Sequence, residues 1–186
     1  MKRIDTALPG VWLIEPTVWR DERGFFFESY QEAKFAELGI RERFVQDNHA
    51  KSVQGTLRGL HYQIARPQAK LCRVVQGAVL DVVVDVRRGS PTFGRHAVEV
   101  LSAENLRMVY VPPGFAHGYA VLTETAEFLY KCSDFYSPSH ERGVLWNDPA
   151  LAIDWRIGNP ILSSKDRAHL PLAAIPANEL PPFQAD

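Results

Sequence analysis

The sequence lacks several features that would assign the protein to a specialised class. Only two cysteines occur in 186 residues, Cys72 and Cys132, and each lies inside an apolar run. We therefore expect two small buried thiols rather than a disulfide. No apolar run is long enough to span a bilayer, and the N-terminus has no signal-peptide core. These absences predict a cytoplasmic protein that does not enter a membrane.

An excess of one charge is also missing. The 21 lysines and arginines nearly balance the 22 acidic residues, for a net charge of -1. A nucleic-acid partner is therefore not expected, because such proteins carry a basic surface. Hydrophobic residues make up 46% of the chain and charged residues 23%, as in ordinary globular proteins. The length predicts one domain over residues 1–186, with an extended proline-rich tail from about residue 173.

Helical periodicity is scarce. One helix is predicted over residues 34–38, with a capping box that starts at Ser29 and a glycine, Gly39, that ends it. Short helical turns are expected near residues 148–151 and 164–168.

Strand-like patterns are abundant. Short strands are predicted over residues 11–14 and in the aromatic run 25–30, and further strands recur at spacings of about 8–12 residues. The further strands are placed near residues 55–63, 69–76, 78–86, 95–101, 107–111, 117–122 and 126–134. Many short strands with Gly/Pro turns predict an all-β fold, a double-sheet jelly roll or related barrel, with a few short peripheral helices.

Four of these strands carry polar side chains that alternation could direct into the interior of a barrel. They are His61, Lys70, His117 and Tyr130. Barrel mouths are favoured positions for small-ligand sites. Each residue also has a plain structural explanation: Lys70 at a strand end in water, or Tyr130 in the core with a satisfied hydroxyl.

Two aspartates and two further histidines have less defined positions in the predicted fold. Asp81 and Asp85 share one face of their strand, where they either support a site from behind or form a solvated outer face. His49 and His140 are expected in loops.

A catalytic metal is not expected. Pro113-Gly114-x-x-His117 is similar to one motif of metal-binding jelly rolls of the cupin class, but those proteins also need a His-x-His pair. No His-x-His occurs in the sequence. Nucleophile-elbow, phosphate-loop and dinucleotide motifs are absent too.

Seven motifs, taken in order, resemble the dTDP-4-dehydrorhamnose 3,5-epimerase family over residues from about 4 to about 172. They are Asp21-Glu22-Arg23-Gly24-Phe25-Phe26, Gln46-Asp47-Asn48, Leu57-Arg58-Gly59-Leu60-His61, Pro113-Gly114-Phe115-Ala116-His117-Gly118, Glu127-Phe128-Leu129-Tyr130-Lys131, Leu145-Trp146-Asn147-Asp148 and Leu162-Ser163-Ser164-Lys165-Asp166. Any one of them is weak, but the ordered set is specific.

The resemblance implies a cupin-type jelly roll, a homodimer, and an isomerase without a metal or organic cofactor. The implied reaction converts dTDP-4-dehydro-6-deoxy-D-glucose to dTDP-4-dehydro-L-rhamnose by epimerisation at carbons 3 and 5. His61 matches the general base and Asp166 its carboxylate partner. Tyr130 matches the general acid on the opposite face of the sugar, and Lys70 lies near the keto oxygen.

The resemblance also assigns substrate-binding positions. They are Arg23, Glu28, Gln46, Asp47, Asn48, Arg58, Lys70, His117, Glu141 and Lys165. Exchange of N-terminal strands between subunits would place Arg23 and Glu28 in the neighbouring subunit's site.

Three alternatives remain open from the sequence. One is a mono-epimerase acting at carbon 3 or carbon 5 only, and a second is a non-catalytic sugar-nucleotide-binding cupin. The third is a metal-dependent cupin, which the missing His-x-His disfavours.

One local conflict yields a structural prediction. Strict alternation puts Arg58 and His61 on opposite faces, so Gly59 is expected to host a bulge that brings both to one pocket.

Overall fold

A computed structural model describes residues 1–184, which form thirteen strands and two short α-helices. The strands are β1 (Lys2–Asp5), β2 (Trp12–Glu15), β3 (Trp19–Asp21), β4 (Gly24–Phe26), β5 (Gln46–Val53), β6 (Leu57–Gln63), β7 (Lys70–Gln76), β8 (Ala78–Asp85), β9 (His96–Ser102), β10 (Met108–Val111), β11 (Phe115–Val121), β12 (Thr125–Cys132) and β13 (Glu141–Gly143). The helices are α1 (Glu32–Glu37) and α2 (Ser164–Arg167).

Two antiparallel sheets make up the body of the protein. The first has the order β1-β2-β10-β7-β12-β5, and the second has the order β13-β6-β11-β8-β9. Strands β3 and β4 form a separate hairpin. The order differs from the chain order because the strands cross between sheets, as in a double-sheet jelly roll. The predicted all-β class is confirmed.

Strand β8 is buried on both of its faces. Val79 and Val83 belong to the core between the sheets, whereas Leu80 and Val84 pack in a second core under the C-terminal segment. That segment contributes Trp155 among other apolar residues. A strand covered on both sides reads as a continuous apolar run, which explains its valine-rich sequence.

Helix α1 shows where the capping prediction was wrong. The N-cap is Gln31, whose Oε1 accepts a hydrogen bond from Lys34 N at 2.7 Å, and not Ser29. The amide oxygen of Gln31 accepts the hydrogen bond that a serine hydroxyl would otherwise accept, and the helix starts two residues later than a Ser29 cap would require. Gly39 follows with φ +97°, as the predicted helix end requires.

Strand β5 was missed by the sequence prediction. It covers residues that were left outside the predicted strands, and it pairs with β12 over its whole length. His49 consequently lies in a strand rather than a loop, where its Nε2 is 3.0 Å from Glu127 Oε2. Six of the eight residues of this edge strand are polar, and they occupy both of its faces, so the sequence shows no alternation of apolar and polar residues there.

The remaining chain follows the predictions more closely. Cys72 and Cys132 are free and buried, and helical turns form near residues 148–151 and in α2. The tail holds short 3₁₀ turns and docks through Arg88 N to Pro181 O at 2.8 Å. Residues 185–186 of the predicted tail lie outside the described residues. Within residues 1–184, no helix combines the length and apolar character needed to cross a membrane.

Candidate active site

A cavity of about 290 Å³ opens between the two sheets. Both sheets supply its walls, β6 and β11 on one side and β5, β7 and β12 on the other, and the loop into α2 closes one end. Its lining residues are Ala50, Arg58, His61, Lys70, His117, Gly118, Tyr119, Phe128, Tyr130, Ser163, Lys165 and Asp166.

His61 and Asp166 form a tight pair in this cavity. His61 Nε2 lies 2.5 Å from Asp166 Oδ1, although the residues are far apart in sequence. Helix α2 fixes the carboxylate, because Asp166 N donates to the N-cap Ser163 Oγ at 3.1 Å. Burial by itself would raise the pKa of Asp166, but the hydrogen bond and charge of His61 outweigh it and hold that pKa below its usual value. Asp166 is therefore an ionised partner for the imidazole.

The predicted bulge at Gly59 is present. His61 lies opposite His117 and Arg58 lies opposite Tyr119, so β6 uses one more residue than β11 over this stretch. Gly59 has φ +125°, a conformation that side-chain-bearing residues rarely adopt. The extra residue turns Arg58 toward the cavity that His61 also lines, where Arg58 Nε donates to Ser52 Oγ at 3.2 Å.

Lys70 and Tyr130 lie on the facing sheet. They stand on neighbouring strands, since Tyr130 pairs with Cys72 and Lys70 pairs with Cys132. Burial is the main cause that raises the pKa of Tyr130 above that of free tyrosine. Tyr130 is therefore a phenol, a proton donor, at neutral pH.

His117 is held by Asp81. Its Nε2 lies 3.0 Å from Oδ1 and 2.9 Å from Oδ2 of Asp81, and both side chains are buried. The solvated-outer-face interpretation of Asp81 and Asp85 is wrong, because both are buried and alternate with Val79 and Val83 on the face of β8 that points between the sheets. Asp81 instead supports the cavity from behind, while Asp85 accepts hydrogen bonds from the turn that contains Arg87 and Ser90.

A second cavity of about 300 Å³ adjoins the first and shares His61, Lys70 and Tyr130 with it. Its other lining residues are Gln46, Asn48, Tyr62, Gln63, Gln68, Cys132, Tyr136 and Glu141. Glu141 accepts from Tyr136 Oη at 2.7 Å and forms an ion pair with Lys165. This space is lined mainly by amides and hydroxyls, which suits a polar extension of a ligand held in the first cavity.

Comparison with known proteins identifies the family. The sequence profile of the dTDP-4-dehydrorhamnose 3,5-epimerase family matches residues 5–174. The chain belongs to this family. A dTDP-4-dehydrorhamnose 3,5-epimerase of Pseudomonas aeruginosa is 57% identical over 169 residues, which cover 90% of this chain and 93% of that protein.

Solved structures agree with the sequence match. The dTDP-6-deoxy-D-glucose-3,5-epimerase of Legionella pneumophila, crystallised with dTDP-4-keto-L-rhamnose, superposes with a TM-score of 0.97 at 49% identity over 99% of both chains. A 3'-monoepimerase of Streptomyces bikiniensis, crystallised with dTDP-quinovose, gives a TM-score of 0.88 at 39% identity over 95% of this chain and 91% of its own. The predicted cupin-type jelly roll, the isomerase class and the role in dTDP-rhamnose biosynthesis are confirmed.

Three family positions lie outside the two cavities of this epimerase. Arg23 is exposed on the β3–β4 hairpin and bonded to Asp21 at 2.6 Å, and Glu28 forms an ion pair with Lys34. Asp47 lies on the exposed face of β5, where it accepts a hydrogen bond from Lys131 Nζ at 2.9 Å. The binding roles of these three residues stay predictions.

Some cavity residues escaped the sequence analysis. Gln63, Gln68 and Tyr136 line the second cavity, but only Gln63 had a usable signal, because it shares a strand face with His61. His169 was also missed, and it is the one additional residue that, with His61 and Asp166, makes a group able to hold a metal ion within residues 1–184.

Proposed function

We propose that this epimerase inverts carbons 3 and 5 of dTDP-4-dehydro-6-deoxy-D-glucose by proton abstraction and return next to the 4-keto group. The observation that carries the proposal is the placement of His61 and Tyr130 on facing sheets across one cavity. Epimerisation requires a base on one face of the sugar ring and an acid on the other.

His61 is the base in this mechanism. The Asp166 carboxylate accepts a hydrogen bond from Nε2–H, so the lone pair of the neutral ring lies on Nδ1. As His61 gains a proton from the substrate, the adjacent carboxylate stabilises the resulting imidazolium. Asp166 thus positions the ring and increases its basicity.

Tyr130 is the acid. Its raised pKa keeps the phenol protonated until the enolate forms, and the enolate then takes the proton on the face opposite to His61. His61 then releases its proton to solvent and Tyr130 regains one, which restores both groups. The same steps at the second carbon, on the other side of the ketone, complete the reaction.

The negative charge that develops on the keto oxygen must be stabilised by a hydrogen-bond donor. Lys70 lines the cavity beside Tyr130, and the His117 ring, fixed by Asp81, faces it from the other sheet. A preorganised donor of this kind contributes about 3 kcal/mol to transition-state stability. We assign this role to Lys70, with His117 and Arg58 contacting the remaining oxygens of the substrate.

The nucleotide would extend into the second cavity. The Legionella relative was crystallised with a dTDP-linked keto sugar, and the two adjoining cavities here offer room for the sugar and for polar groups attached to it. Gln46, Asn48, Glu141 and Lys165 would contact the nucleotide or diphosphate. In the proposed cytoplasmic homodimer, Arg23 and Glu28 would act in the neighbouring subunit's site, and exposed Phe25 and Phe26 would be covered at the interface.

The test is solvent isotope incorporation. In deuterated water, wild-type protein should introduce deuterium at both carbons that flank the ketone, and His61→Asn should introduce it at neither. His140→Asn, a change in a short 3₁₀ turn outside the lining of both cavities, is the matched control and should retain full incorporation.

The mono-epimerase alternative is favoured by one observation, the TM-score of 0.88 to the Streptomyces 3'-monoepimerase. The same experiment separates the two functions. Deuterium at one carbon only would contradict the double epimerisation and support the mono-epimerase. No deuterium, with retained binding of the dTDP-sugar, would indicate a non-catalytic binding protein.

A further inference from the structure

A third ionisable side chain lies behind the His61–Asp166 pair. His169 follows helix α2, and its Nε2 is 3.7 Å from Asp166 Oδ1, the same oxygen that contacts His61. The rings of His61 and His169 meet edge to face with centroids 5.6 Å apart. Two imidazoles therefore converge on one buried carboxylate.

The Nε2 atom of His169 is unusual because it is buried and finds no hydrogen-bond partner among residues 1–184. A buried polar nitrogen without a partner costs about 1–3 kcal/mol, so such atoms are rare in folded proteins. The ring is tightly packed against Gly143, where an added Cβ would come within 2.2 Å of this nitrogen. The nitrogen is thus held in a fixed place with its ligand capacity unused.

We propose that His61, Asp166 and His169 form an inhibitory site for a zinc ion. Each offers one ligand atom, and these atoms lie within 4.8 Å of one another. Two imidazoles and one carboxylate are a common ligand set for zinc in catalytic sites, with a fourth position left for water. Here that position faces the cavity, which His61 and Asp166 both line.

The geometry requires only small movements. Tetrahedral zinc bonds of about 2.0–2.1 Å place ligand atoms roughly 3.3 Å apart. The His61–Asp166 distance of 2.5 Å would open toward this value, and the His169–Asp166 distance of 3.7 Å would shorten toward it. Zinc would replace the proton in the hydrogen bond between His61 and Asp166.

Occupation of the site would stop catalysis. A zinc-bound His61 has lost the carboxylate that fixes and activates its ring, and the metal with its water fills part of the sugar cavity. Zinc is therefore an inhibitor that competes with the substrate, and this consequence rests on the proposed base role of His61.

Metal binding is tested first, without turnover. Metal-free protein titrated with Zn²⁺ in a calorimeter should bind one ion per chain, and Co²⁺ should give the visible absorption of a four-coordinate complex. His169→Asn should weaken zinc binding at least tenfold, and His169→Phe, which keeps a ring in the same space, should do the same. His96→Asn removes a partly buried histidine of β9 outside the cavity, and it should leave zinc affinity unchanged.

Inhibition is tested second. Zinc should inhibit wild-type turnover competitively with the dTDP-sugar, and a chelator should reverse it. The His169→Asn variant should have normal turnover without metal, and its inhibition should require at least tenfold more zinc than that of wild type. Zinc binding that depends on His169 supports the site even if no turnover is found. Failure of wild-type protein to bind one zinc, or zinc affinity equal to that of wild type in both His169 variants, overturns the site even if the epimerase activity is as proposed.

Discussion

Gly59 and Gly118 lie so close together that a Cβ added to Gly59 would be 2.6 Å from Gly118 Cα. The reverse also holds, because a Cβ on Gly118 would be 2.6 Å from Arg58 O. This contact allows β6 to bulge against β11 without separating from it. The placement of Arg58 and His61 in one cavity therefore depends on Gly59 and Gly118.

Gly59→Ala should therefore damage both stability and activity. The substitution puts a methyl group into backbone atoms of β11 and imposes a strained positive φ, for a loss of about 2–4 kcal/mol in the free energy of unfolding. Urea denaturation would measure the loss, and Gly89→Ala, at a positive-φ glycine with no atom within 4 Å of the added Cβ, is the control for backbone strain alone. Equal losses in both variants would contradict the proposed importance of the strand contact.

Asp166→Asn should lower kcat by about 100-fold or more, because an amide leaves His61 in the wrong tautomer and removes the adjacent charge. Ser163→Ala removes only the hydrogen bond to the Asp166 backbone and should cost much less. Steady-state kinetics of the two variants gives the comparison. A similar loss in both would show that local structure around α2, rather than the carboxylate, is what matters.

The lowered pKa of Asp166 also predicts that the stability of the protein depends on pH. This pKa is lower in the folded protein than the value of about 3.9 expected when unfolded, so the unfolded state binds more protons between those two values. The stabilisation from ionised Asp166 is complete above about pH 4 and is lost as the pH falls through the folded-state pKa. Unfolding free energies of wild type and Asp166→Asn should therefore converge below about pH 4, and a constant difference would contradict this.

Asp81→Asn should reduce kcat by about 10- to 100-fold with little change in fold, because it alters the partner that fixes the His117 ring. Asp85→Asn is a matched change on the same strand. Asp85 holds Arg87, Ser90 and Thr92, so this variant should lose stability but keep the kcat of the folded enzyme. Thermal unfolding and kinetics of both variants separate the two roles, and unchanged kcat in Asp81→Asn would contradict the proposed contact between His117 and the substrate.

Tyr119→Phe should raise the free energy of unfolding by about 1 kcal/mol. Within residues 1–184 the buried Tyr119 hydroxyl makes no hydrogen bond, although Arg58 and Ser52 lie near it, and removal of an unpaired buried hydroxyl is favourable. Tyr110→Phe is the opposite case, since Tyr110 Oη donates to Glu42 Oε1 at 2.6 Å, and it should destabilise the protein. A loss of stability in Tyr119→Phe would mean that its hydroxyl is paired.

The alternation of apolar residues and the Gly/Pro turns determined the all-β class, because these local patterns depend only on strand and turn preferences. They also identified most strands. Strand β5 was missed because polar residues occupy its inner face as well as its exposed face, which removes the alternation of apolar and polar residues. The family motifs indicated His61, Lys70, Tyr130 and Asp166 as one site. Gly59 was correctly inferred as a bulge from the conflict between alternation and function.

Only the tertiary structure decided which polar residues serve the cavity and which do not. Asp81 and Asp85 look equivalent in sequence, yet their partners differ. Strand β11 places His117 beside Asp81, whereas Asp85 ends its strand and accepts hydrogen bonds from the turn that follows. His169 gave no signal at all, since its meaning depends on α2 bringing it within 3.7 Å of Asp166 Oδ1. Contacts between distant segments are set by packing across the whole chain, and no local pattern encodes them.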